Sequence, residues 1–142
     1  MEKIKILIAE DDKMVRRLYD EAFIEDVFEK QIVFNGEDAF NMYLTWKPEI
    51  IILDIMMPLM TGYTVLQKIR KENSDPNTTI IMASSISDKE NVVSCLKLGI
   101  QGYITKPFKA DEIARRALDY HHQKNAQRAK DAINELKKVK TG

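Results

Sequence analysis

Short apolar runs alternate with stretches of helical period along this chain. Ile4 to Ala9, Gln31 to Phe34, Ile50 to Leu53, Thr79 to Ala83 and Gly102 to Thr105 read as strands. Between them, Met14, Leu18 and Ala22 share one helical face, as do Phe40, Tyr43 and Leu44, then Val65, Leu66 and Ile69, then Val92, Val93 and Leu96. The simplest reading of each stripe is core. Strands alternating with helices predict an α/β fold, a five-stranded parallel sheet wound on both faces by five helices. The punctuation agrees with that division. Asn35-Gly36 and Asp75-Pro76 read as turns, Gly99 suits the position after a helix C-terminus, and Asp88 suits the cap of the fourth helix.

The fifth helix should begin near Ala110, with Asp111 and Glu112 in its first turn where the helix dipole favours acids. No Gly or Pro interrupts the chain from Lys109 to Thr141, so the pattern predicts one helix running through His121 and His122 to about Val139. The chain then divides into a domain over 1–122 and a helical extension or linker over 123–142. The segment after Tyr120 carries His121, His122, Lys124 and Arg128 before Ile133 and Leu136, too polar a stretch to bury much of itself. It is expected to project and pair with a partner helix, a second copy of the chain making a homodimer, or to lead to an output module. Adjacent helical residues do not share a face, so both histidines are expected in solvent.

Composition narrows the function. A length of 142 residues fits one domain, and 22 basic against 22 acidic side chains give zero formal charge. That balance argues against nucleic acid or an anionic membrane as the main partner. No apolar run approaches the roughly 20 residues of a membrane span, and Met1-Glu2-Lys3-Ile4 lacks the features of a signal peptide. Cys95 is the single cysteine and reads as a small apolar helix residue, so the reading is a cytoplasmic protein without an internal disulfide.

The chemistry collects at strand ends. Asp54 closes the run Ile50-Ile51-Ile52-Leu53, Glu10-Asp11-Asp12 follows the first strand, Ser84-Ser85 the fourth, and Lys106-Pro107 the fifth. In an open parallel sheet, ligands bind outside the carboxyl ends of strands, so these groups should converge. Taken singly, the acids read as helix caps, Lys-Pro as a loop and Ser84 as a turn residue; four together at four strand ends read as one site. Glu10, Asp11 and Asp54 offer oxygen ligands only, which suits Mg²⁺ or Mn²⁺ and argues against zinc. A carboxylate beside such a cation and a lysine can accept a phosphoryl group as an acyl phosphate.

The segments Ile6 to Asp12, Leu53 to Gly62, Ile81 to Ser85 and Gly102 to Phe108 resemble, in order and spacing, the receiver domain of two-component response regulators. The resemblance covers about Lys3 to Tyr120. It implies the flavodoxin-like strand order 2-1-3-4-5, with Asp54 as phosphoacceptor and Mg²⁺ held by Asp11, Asp54 and the Met56 backbone carbonyl, with Glu10 acting through water. It further implies Ser84 as the switch hydroxyl, Tyr103 as the switch aromatic, Lys106 as the phosphate clamp, Asp12 as a helix cap and a cis bond before Pro107. The phosphoryl donor would be a sensor histidine kinase or a phosphotransfer protein. The output would be a changed surface of helix 4, strand 5 and helix 5, read by a downstream protein or domain, and the chain would catalyse only its own phosphorylation and dephosphorylation. Met56 and Ile86 are apolar and do not activate water, so the acyl phosphate should hydrolyse slowly. Two rival readings are an aspartyl-phosphate phosphatase, whose proton donor would be needed where Met56 stands, and an interaction module that never takes phosphate.

Overall fold

In the computed structural model, which describes residues 2–85, 89–122 and 126–141, the run Ile4–Ala9 forms the first strand, β1, and its side chains divide by parity between two cores. Ile4, Ile6 and Ile8 enter one core, while Leu7 and Ala9 enter the other. That is the two-residue period of a strand buried on both faces, which is why its sequence reads as continuously apolar. β2 (Phe28–Val33), β3 (Ile50–Asp54), β4 (Thr79–Ser85) and β5 (Gly102–Lys106) complete the sheet. All pairings are parallel and the order is β2-β1-β3-β4-β5. The expected fold class and strand order are therefore those of the molecule.

The helices are α1 (Lys13–Ala22), α2 (Gly36–Trp46), α3 (Gly62–Gln67), α4 (Lys89–Leu98), α5 (Ala110–His122) and α6 (Ala126–Thr141). α1 and α5 cover the core of Ile4, Ile6 and Ile8 through Tyr19, Phe23, Ile113, Ala117 and Leu118. α2, α3 and α4 cover the other through Ala39, Tyr43, Val65, Leu66, Ile69 and Cys95. α3 continues as a π-helical turn over Lys68–Glu72. From that turn Arg70 donates to the carbonyls of Gly99 (2.8 Å), Asp75 (2.9 Å) and Thr78 (2.9 Å) and to Gln101 Oε1 (2.9 Å), tying the loops that feed β4 and β5.

Several expectations change. β2 starts at Phe28, three residues before the apolar signal: an edge strand alternates buried and solvated positions, and Glu29, Lys30 and Gln31 conceal it. Asn35 is not a turn residue but the cap of α2, accepting from the Asp38 N–H at 2.8 Å. On α1 the buried face is Tyr19 and Ala22 with Val15 packed against it, so Met14 stands 70% exposed and Leu18 is exposed too. On α4 the fully buried residue is Cys95, and Val93 and Leu96 face outward. Asp75 makes its turn by accepting from the N–H groups of Asn77 and Thr78. Gly99 has φ +102° after α4, where a side chain would be strained. Asp88 and Ile86 lie outside the described residues.

The largest departure is at the C-terminus. α5 and α6 are separate helices, and α6 does not project: Ala132 and Leu136 are buried in the α1/α5 core, with Ile133 packed against it. Few apolar residues suffice because they fall on one face, at i, i+1 and i+4, opposite a groove lined by Ala22, Ile24 and Ala114. The groove is incompletely filled and retains a cavity of about 460 Å³. His121 is also buried, its Nδ1 lying 2.7 Å from Thr79 Oγ1 and its Nε2 4.0 Å from Glu49 Oε1, whereas His122 is exposed as expected. The length of α5 carries His121 under the start of β4, which neighbour-to-neighbour spacing does not reveal.

Candidate functional site

Strand parity that sorts the cores also builds the site. Asp54 follows Ile50 and Ile52 in phase, Lys106 follows Ile104, and Glu10 continues the phase of Ile6 and Ile8, so all three belong to the α1/α5 side of the sheet. Ser84 is in phase with Ile80 and Met82, and Tyr103 packs against that same α2–α4 core. The site thus forms where the two faces of the sheet meet at its carboxyl edge.

On the first side, Lys106 Nζ lies 2.8 Å from Glu10 Oε1 and 3.0 Å from Asp54 Oδ2. Glu10 is fully buried and Asp54 nearly so, and buried carboxylates need such a partner. Burial pushes the Glu10 carboxyl above the ordinary range; Lys106 pulls it back and the neighbouring Asp54 pushes it further up. Burial by itself would depress the Lys106 ammonium, but its hydrogen bonds to Glu10 and Asp54 prevail and hold it above the usual value. Asp11 is exposed, and one carboxylate oxygen each from Glu10, Asp11 and Asp54 can be chosen so that all lie within 4.8 Å of one another. Three carboxylates against one ammonium leave excess negative charge. An all-oxygen donor set of that kind fits a hard divalent cation such as Mg²⁺.

On the second side, Ser84 Oγ and Tyr103 Oη are 2.8 Å apart, with Ser84 buried and Tyr103 half-buried. Tyr103 is thus already turned toward Ser84. The Tyr103 carbonyl accepts from Tyr120 Oη (3.2 Å) and Arg116 Nη2 (3.0 Å), which fastens β5 to α5.

The loops around Asp54 are held by local geometry. The Met56 N–H donates to Asp54 Oδ1 at 3.3 Å, and the Gly62 N–H donates to the Ile55 carbonyl at 2.9 Å. A side chain at Gly62 would run into the Asp54 carbonyl, so only glycine lets α3 start this close to the site. Asp12 caps α1 by accepting from the Val15 N–H at 3.0 Å. The Lys106–Pro107 peptide bond is cis.

Two contributors were not singled out from the sequence. Arg16 Nη1 donates to the carbonyls of Asp11 (2.7 Å) and Glu10 (3.2 Å) and its guanidinium stacks on Phe34 at 3.9 Å, bracing the acidic loop. A basic residue one helical turn past an acidic pair was the available signal. Tyr19 is buried in the α1/α5 core with its ring 4.8 Å from that of Phe108, two residues past Lys106; nothing in its spacing sets it apart from an ordinary core aromatic.

Comparison with known proteins points the same way. A family model described as the response regulator receiver domain matches residues 6–118. Among curated proteins, a probable transcriptional regulator, ycf27, of Porphyridium aerugineum is 34% identical over 116 residues, covering 82% of this chain and 47% of that protein. The regulatory protein AtoC of Escherichia coli (strain K12) is 32% identical over 123 residues, 84% of this chain and 26% of that one. The chain spans about half the length of the ycf27 proteins it matches. Among solved structures, the receiver domain of the Francisella response regulator 1452 superposes with a TM-score of 0.75 at 32% identity, covering 85% of this chain and 98% of that one. A CheY-like receiver domain protein from Methanospirillum hungatei JF-1 gives 0.79 at 21% identity and shares the fold.

Proposed function

Because the chain belongs to the family of response regulator receiver domains, we propose that it is a switch set by phosphorylation of Asp54. An Asp54 carboxylate oxygen attacks the phosphorus of a phosphohistidine whose other ring nitrogen carries a proton; the O–P bond forms, the N–P bond breaks with its electron pair going to nitrogen, and the histidine leaves as neutral imidazole. The observation that carries this reading is the bridge of Lys106 between Glu10 and Asp54 with Asp11 beside it. It supports the reading because a buried carboxylate, an ammonium and two further acids lie together at one sheet edge.

Asp11, Asp54 and the Met56 carbonyl would hold Mg²⁺, with Glu10 acting through water. When bound, the ion neutralises the charge that otherwise repels an incoming phosphoryl group. Lys106 is the clamp on a phosphoryl oxygen and Ser84 the hydroxyl that donates to another. To donate to it, Ser84 must turn its one hydroxyl proton from the Ser85 carbonyl, 3.3 Å away, while its oxygen can still accept from Tyr103, so loading of Asp54 bears on the contact between Ser84 and β5. Exposed Val93 and Leu96 on α4 border the surface that would change. A histidine kinase or phosphotransfer protein would supply the phosphoryl group. The relatives named above are regulators, one of them of transcription, so a transcriptional output is the reading adopted for the protein that carries this domain.

The test is the intact mass after incubation with acetyl phosphate and Mg²⁺. Wild type should gain one phosphoryl group, Asp54→Asn none, and wild type in chelator none. Equal labelling of wild type and Asp54→Asn would sink the assignment.

A further inference from the structure

Phe34 stands 56% exposed just past β2, and the Arg16 guanidinium lies 3.9 Å from the centre of its ring. Arg16 follows the acidic run Glu10-Asp11-Asp12 by one helical turn. Yet its Nη1 donates to the carbonyls of Asp11 (2.7 Å) and Glu10 (3.2 Å), and among the described residues it makes no ion pair with an acid. A guanidinium in an acidic neighbourhood that bonds main chain rather than carboxylate fixes the path of the backbone.

The end of β2 is tied to both loops of the site. The Glu10 N–H donates to the Val33 carbonyl at 3.0 Å, next to Phe34. Two residues past Phe34, a side chain at Gly36 would run into the Met60 carbonyl, so the start of α2 packs directly on the loop between β3 and α3. That loop begins with Asp54 and Met56. Asp11, by contrast, is exposed in the irregular stretch between β1 and α1, so the direction of its carboxylate depends on how its backbone is held.

On the reading proposed above, on which this inference rests, Asp11 and Asp54 hold Mg²⁺. We propose that Arg16, stacked on Phe34, is the positioning residue of that cation site. It fixes the main chain at Glu10 and Asp11 so that an Asp11 carboxylate oxygen stays within 4.8 Å of one from Asp54 before the ion arrives. The sign of the effect separates this from plain electrostatics. A cation near three carboxylates opposes Mg²⁺, so deleting its charge tightens binding, whereas deleting a group that orients a ligand weakens it.

The experiment is calorimetric titration of the full chain with Mg²⁺. Arg16→Ala should bind about tenfold more weakly than wild type. Arg16→Lys keeps the charge but not the planar fork, and should resemble Arg16→Ala. Phe34→Leu, at a position outside both cores, should lose about threefold, the worth of an exposed cation–π contact. Arg17→Ala removes the same charge from the next, exposed residue and should not weaken binding. In an Asp11→Asn background, Arg16→Ala should cause no further loss. With Mg²⁺ raised to saturation, Arg16→Ala should bind beryllofluoride, a stable stand-in for the phosphoryl group, as wild type does; general damage to the fold or to Asp54 would prevent that rescue. Unchanged or tighter Mg²⁺ binding by Arg16→Ala, an equal loss in Arg17→Ala, or beryllofluoride binding that saturating Mg²⁺ does not restore would overturn the proposal. If wild type itself binds no Mg²⁺, the cation-site reading falls and this one with it.

Discussion

Asp75 shows how much one side chain can hold far from the phosphoryl chemistry. Its carboxylate accepts from Tyr43 Oη (2.7 Å), Thr78 Oγ1 and the N–H groups of Asn77 (2.8 Å) and Thr78 (3.1 Å). Burial alone would raise its pKa, but the hydrogen bonds from Thr78, Tyr43 and Asn77 outweigh it and bring it down to about 2. A depressed carboxyl stabilises the fold above its unfolded pKa of about 4, and that contribution disappears as the pH falls through about 2. Asp75→Asn should therefore cost about 1 kcal/mol near neutrality, and the gap from wild type should narrow in urea unfolding series carried down to pH 2. A gap independent of pH would assign the cost to shape rather than charge. At the site itself, Met56 stands 59% exposed next to Asp54 and offers water no polar contact. Met56→Asn should shorten the acyl phosphate lifetime several-fold, measured by loss of the phosphoryl mass with time.

At the level of elements, legibility followed burial. β1, β3 and β4 are internal and announce themselves as apolar runs; β5 is an edge strand that shows itself through Tyr103-Ile104, and β2, the other edge, hides its first three residues among half-solvated positions. The strand-end acids and Lys106 were legible because each closes such a run. The bond between Ser84 and Tyr103 and the bracing by Arg16 were not, since they join residues across elements whose facing is set only by packing. The α1 and α4 stripes failed for a related reason: an apolar face is rotated by one residue with little change in pattern, and exposed Met14 and Leu96 are as apolar as what lies beneath. α6 is hard to read as a packed helix of its own because no Gly or Pro stands between it and α5 in the sequence and its buried face is short. Its packing gives a direct check. Leu136→Ala should lower stability by about 2 kcal/mol, seen as a fall in the denaturation midpoint, whereas a projecting helix would register no change. Truncation after His122 should leave Asp54 phosphorylation intact while lowering the melting temperature by several degrees.

For the whole molecule, the two cores lie on opposite faces of the sheet, and at its carboxyl rim Asp54 and Lys106 close one face as Ser84 and Tyr103 close the other. If Asp54 takes a phosphoryl group as proposed, its effect on the α2–α4 flank should be measurable. The single thiol makes this observable. Cys95 is wholly buried against the α2–α4 core, and burial lifts its pKa, so a thiol reagent can reach it only during moments when α4 separates from the sheet. With no other cysteine in the sequence, the modification rate is a clock reading how often that flank opens. It can be read with the site empty and again with beryllofluoride and Mg²⁺ bound, so the chain carries its own reporter of whether chemistry at Asp54 loosens or tightens the surface that partners would see.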